Sequence, residues 1–169
     1  MIAMKKILVA TDFGEAADSA LAYGRELASR FGATLHVLHV AENVYITAFG
    51  AETYASFAPD LQRDIEASAH KRLDEALVDS DRSGPETVPA VMTSGSPAFA
   101  IIDYAREHEI DLIIMGTHGR GTLGHFLMGS VAERVVRLAG CPVLTIRHPE
   151  RDFVHPDALA AVRTAGAHA

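Results

Sequence analysis

The chain is built around short apolar runs that do not alternate with polar residues. They read "KKILVAT" (5–11), "TLHVLHVA" (34–41), "DLIIMG" (111–116) and "CPVLTIR" (141–147). A strand with one wet face alternates apolar and polar side chains, so an unbroken run implies a strand covered on both faces. Between the first two runs the period changes. Ala17, Ala20, Leu21, Gly24, Leu27, Ala28 and Phe31 recur at helical steps, and Gly32 stops the helix as a C′ glycine would. Strands alternating with helices predict an α/β fold with a mostly parallel sheet.

The remaining elements follow the same rhythm. Residues 42–58 have no clean period and read as a mobile connection. Pro59 then opens a helix expected to carry Leu61, Ile65, Ala69, Leu73 and Leu77 on one face. "DRSGP" is a turn, 86–93 a third strand, and Ser96-Pro97 an N-cap and first helical residue. Residues 130–139 form the last helix. A single domain over 1–148 is expected, with 149–169 a tail that forms a short helix or stays disordered.

Charge and cysteine content narrow the function. A net charge of -7 without any Lys/Arg cluster argues against nucleic acid. The one cysteine, Cys141, cannot form an internal disulfide and reads as a buried small hydrophobe. No apolar run reaches the ~20 residues that span a bilayer, and "MIAMKKILVA" lacks the h-region and cleavage site of a signal peptide. The expectation is a soluble, cytoplasmic protein with no membrane or nucleic-acid partner.

The loop after the fourth run, "MGTHGRGTLGHFLMGS", contains G-R-G-T-L-G over Gly119 to Gly124. That hexamer matches the dinucleotide fingerprint, which belongs directly after a first strand and needs an acidic residue about 20 positions on. Here it follows the fourth strand, and Gly140 to Thr145 hold no Asp or Glu. A Walker A loop fails too, because His125-Phe126 stands where Lys-Ser/Thr is required.

A wider frame remains. Gly116 ends a strand, Gly119 lies in the turn, and Gly129-Ser130 opens a helix. Glycines let backbone N–H groups approach phosphate oxygens, and a helix N-terminus adds unpaired N–H groups and partial positive charge. The residues alone leave a second reading open, in which the glycines only turn the chain and Ser130 only caps the helix.

Gly116-x-x-Gly119, nine residues, then Gly129-Ser130 resembles the G-2x-G-9x-G-[S/T] signature of the universal stress protein family. "KKILVATDF" is similar to that family's opening strand, and "GSVAERVVRLAGCPVLTIR" to its closing helix and strand. The resemblance implies a Rossmann-like five-stranded sheet of order 3-2-1-4-5, with helices on both faces, and ATP binding. It places Asp12 against the adenosine half and the Val40 backbone against adenine. Gly116, Gly119, Gly129 and Ser130 would hold the phosphates, beside the Val131 amide. Ala10, Thr11 and Met115, at the neighbouring strand ends, join the expected binding set; His118 and Arg120 read either as phosphate-facing charges, and so as members of that set, or as exposed loop positions. Ala10 departs from the family, where proline is common. Independently, ligands of open α/β sheets bind outside the strand ends where strand order reverses, which in that order lies between strands one and four.

Asp12 has two further readings, as a cap of the first helix and as a ligand of phosphate-bound magnesium. His36 and His39 lie three apart on a strand and face opposite ways, so they cannot chelate together. His118 and His125 share a loop without Cys or carboxylate at ligand spacing, so no metal site is expected. The resemblance also implies a homodimer through the last strand, from Pro142 to Arg147; the alternative is a tail folded over that edge. The expected function is an ATP-binding stress-response or regulatory module with slow hydrolysis or none. The alternatives are an AMP- or cyclic-AMP-binding member, a weak ATPase completed by a partner or by 42–58, and a dimeric scaffold that binds no nucleotide.

Overall fold

Strand β1 (Lys6–Thr11) occupies the middle of the sheet, and every residue from Ile7 to Thr11 is buried. It pairs in parallel with β2 (Thr34–Glu42), Val9 opposite Val37, and with β4 (Leu112–Gly116), Val9 opposite Ile114. Outside β2 lies β3 (Thr87–Ser94), and outside β4 lies β5 (Val143–Ile146). This computed structural model describes residues 3–47, 58–77, 86–117 and 128–148. The order is β3-β2-β1-β4-β5, all parallel, as expected.

The unbroken apolar runs are explained by two separate cores. Ile7, Val9, Leu35, Val37, Leu112 and Ile114 point to one side, against Ala20, Leu21 and Ala28 of α1 (Glu15–Phe31) and Leu73 of α3 (Ala58–Ala76). Leu8, Ala10, Leu38, Ile113 and Met115 point to the other. There they meet Ala98, Ile101 and Tyr104 of α4 (Pro97–Glu107) and Ala132 and Val135 of α5 (Ser130–Leu138). Helices therefore cover both faces, and no helix among the described residues is long and apolar enough to cross a membrane. Helix α1 ends as expected at Gly32, whose φ of 62° is left-handed.

Several boundaries and one helix face differ from expectation. Strand β2 runs on to Glu42, and a short helix α2 (Val44–Thr47) follows, so the first part of 42–58 is ordered into elements. Residues 48–57 lie outside the described residues. Helix α3 starts one residue before Pro59, and Leu61 is exposed while Gln62 is buried. A strict four-residue series drifts about 40° per step around a helix, so Leu61 and Leu73 cannot share a face. Polar demand settles the start of α3. The Gln62 carboxamide oxygen accepts from the Val44 N–H at 3.0 Å, while its nitrogen donates to the Glu42 carbonyl and to Glu66.

Ser96 and Pro97 take the N-cap and first helical positions, yet the Ser96 side chain makes no cap bond; its N–H donates to Ser94 Oγ instead. Strand β3 is shifted by one residue from 86–93, and β5 is shorter than 141–147. Cys141 precedes that strand and is half-buried, where burial pushes its thiol pKa up. Helix α5 ends one residue early, with Ala139 as its C-cap. The tail, 149–169, lies outside the described residues.

Candidate functional site

A cleft of about 290 Å³ opens where the carboxyl ends of β1 and β4 diverge. Its size is near the lower end of ligand pockets, roughly 300 Å³ upward. Ala10, Thr11, Asp12, Val40, Met115, Gly116, Gly129, Ser130 and Val131 all line it, so nine of the expected residues converge from four elements. His118, Gly119 and Arg120 lie outside the described residues, as do His125 and Phe126.

Both flanks of the glycine loop are tied to one residue. The Thr117 N–H donates to the Ile146 carbonyl at 2.8 Å, and the Thr117 carbonyl accepts from the Gly129 N–H at 2.8 Å. That second bond sets the start of α5 beside the end of β4. The N–H groups of Ser130, Val131 and Ala132, in the first turn of α5, have no acceptor within the helix and carry its positive end. No Lys or Arg is among the described lining residues, so these amides, with the Ser130 hydroxyl beside them, are donors that the described wall offers an anion.

The two flanking glycines have different reasons to be glycine. A Cβ on Gly116 would sit 2.9 Å from Ala16 Cβ and 3.1 Å from the Ala16 carbonyl carbon, so α1 already fills that space. Gly129 has φ -60° and ψ 148°, a conformation any residue adopts.

Asp12 sits in the turn from β1 to α1. It does not cap the helix, because Gly14 holds the N-cap position. Its carboxylate accepts the Gly14 N–H at 3.1 Å, and the Thr11 hydroxyl accepts the Phe13 N–H at 2.9 Å. Between these bonds Phe13 has φ 61°, at a cost of roughly 1–2 kcal/mol for an L residue. Leu38, Pro97 and Ile101 add an apolar wall.

The two histidines of β2 do face opposite ways. His36 is buried toward α4, with Nδ1 2.9 Å from the Tyr104 hydroxyl. His39 lies on the α1 side, with Nδ1 2.8 Å from the Thr11 carbonyl and its ring 4.4 Å from that of Phe13. His39 also lines the cleft, a placement the sequence reading missed. Its position directly before Val40 was the available signal. Among the described residues, no group of three His, Cys, Asp or Glu side chains could hold a metal.

Fold and cleft define the class: a doubly wound, Rossmann-like α/β protein whose cleft lies at the topological switch point. The chain belongs to the Universal stress protein family, which it matches over residues 4–147. A universal stress protein of Thermus aquaticus is 34% identical, covering 85% of this chain and 98% of its own. The solved structure of universal stress protein UspA from Lactobacillus plantarum has a TM-score of 0.72 at 28% identity, covering 87% of this chain and 100% of that one. A universal stress protein from Archaeoglobus fulgidus, solved in complex with dAMP, shares the fold with a TM-score of 0.61 at 23% identity, covering 86% of this chain and 99% of its own.

Proposed function

We propose that this protein binds ATP in the cleft and acts as a dimeric regulatory module, with slow hydrolysis or none. The observation that carries this reading is the Thr117–Gly129 bond, which places the α5 amides in the same cleft as Asp12. Adenine would lie along the apolar wall with its edge on the Val40 backbone, and Asp12 would accept from ribose hydroxyls. The Ser130 and Val131 amides and the Ser130 hydroxyl would meet phosphate oxygens, which the signature also assigns to Gly119, and His118 and Arg120 belong to the same proposed set. Magnesium, where bound, would take Asp12 as a ligand alongside phosphate oxygens. The absence of a P-loop lysine from the sequence after Gly124 supports slow chemistry.

Titration calorimetry with ATP, AMP and cyclic AMP tests the reading, together with mass spectrometry of the denatured protein for co-purified adenine nucleotide. ATP is expected to bind more tightly than AMP. Failure of all three to bind overturns the proposal. The small cleft favours AMP or cyclic AMP as the second reading, and the dAMP of the Archaeoglobus protein is a ligand of that class. Steady phosphate release that disappears in Asp12→Ala would instead make the protein a weak ATPase.

A further inference from the structure

The turn that presents Asp12 is held from outside itself. Phe13 packs against the core beneath α1 and α3, with the His39 ring 4.4 Å away and the Arg72 guanidinium carbon 4.2 Å from its centre. The His39 Nδ1 lies 2.8 Å from the Thr11 carbonyl, the residue immediately before Asp12. A carbonyl can only accept, so Nδ1 carries the proton and the imidazole is the donor. Thr11 is thus held at its carbonyl by β2 and at its hydroxyl by the Phe13 N–H, while Asp12 is held by the Gly14 N–H. A left-handed Phe13 persists only where its surroundings over-determine it. His39 supplies two of those restraints, one polar and one aromatic.

We infer that His39 is a positioning residue for the cleft: it fixes the Asp12 turn, and through it the affinity for the ribose-bearing part of the ligand. The inference rests on the nucleotide-binding reading for its ligand, although the hold on the turn stands without one. It separates His39 from the phosphate end of the site, where the α5 amides act.

Three substitutions test it. Asn places an amide nitrogen near the position of Nδ1, Gln carries its own one bond further out, and Phe keeps the ring without a donor. His39→Asn, which keeps the donor and gives up the ring contact, should bind AMP more tightly than either of the other two variants. His39→Gln and His39→Phe should lose about tenfold, the worth of one hydrogen bond. Inorganic tripolyphosphate, which has no ribose, should bind all four proteins alike. In an Asp12→Ala background, His39→Gln should cost nothing further, because coupled residues are not additive. Equal AMP affinity across the series, or fully additive losses, would overturn the inference.

Amide hydrogen exchange at Phe13 and Gly14, measured without nucleotide, gives a second readout. Faster exchange there in His39→Gln than in His39→Asn, at an unchanged urea midpoint, supports the inference; equal exchange in the two variants overturns it. Should the unchanged protein bind no adenine nucleotide, the nucleotide proposal falls, and this exchange comparison decides the role of His39 alone.

Discussion

The backbone N–H of Gly129 donates to the carbonyl of Thr117 across 2.8 Å, joining the residue that opens α5 to the one that leaves β4. The bond converts two distant stretches of sequence into one wall of a cleft. It also makes Gly129 a useful position to test, because its conformation does not require glycine while it lines the cleft.

Gly129→Val should therefore separate binding from folding. ATP affinity is expected to fall by about tenfold or more, since a branched side chain would stand before the α5 amides. Stability should change by no more than about 1 kcal/mol, the scale of an N-cap preference. Calorimetry and urea denaturation on the same preparation check both. Unchanged affinity would show that the phosphates are not held at the start of α5.

Gly116→Ala should behave in the opposite way. The added methyl would meet Ala16, whose nearest atoms are a Cβ and backbone and cannot rotate away. Relief requires α1 to lift from β4, at a cost of about 1–3 kcal/mol. A lower urea midpoint with an unchanged slope is expected. An unaltered midpoint would show that α1 yields easily.

These two glycines show what could be read from the chain and what could not. The strands were legible because burial on both faces leaves an uninterrupted run, as at Ile7 to Ala10 and Leu112 to Met115. Their ends then located Asp12 and Gly116. The pressure of Ala16 on Gly116 is a tertiary contact that no local pattern encodes. On α3 the expected Ala69 and Leu73 are buried, and only the first position differs: Gln62, polar by type, is buried for its hydrogen bonds in place of Leu61. His39 escaped notice for a similar reason: its partner is the carbonyl of Thr11, and a backbone partner leaves no trace in residue type.

The proposed dimer has a matching test at β5, which forms the sheet's edge. The carbonyls of Pro142 and Ile146 both accept from β4-side amides, so by alternation Val143 and Thr145 present their backbone groups outward. Thr145→Pro removes an outward N–H while sparing the β4 pairing, a change tolerated on edge strands. Sedimentation equilibrium should find dimers of the unchanged protein and monomers of the variant. A variant that remains dimeric would place the interface elsewhere.

The remaining histidine of β2 predicts a pH effect remote from the cleft. Burial lowers the His36 pKa, and the charges of His108 and Lys6 push it the same way, with Glu86 opposing. The unfolded chain, with an ordinary imidazole near pH 6.5, therefore binds a proton that the folded protein refuses. Stability from this group is fully present above that value and is lost as pH falls toward the lowered folded-state pKa. Replacing His36 with Asn keeps a polar group near the position of Nδ1, able to bond the Tyr104 hydroxyl, but removes the titration. Urea midpoints at pH 7.5 and 5.5 should therefore differ less for His36→Asn than for the unchanged protein. Equal differences would mean that His36 accepts its proton without loss of the native packing.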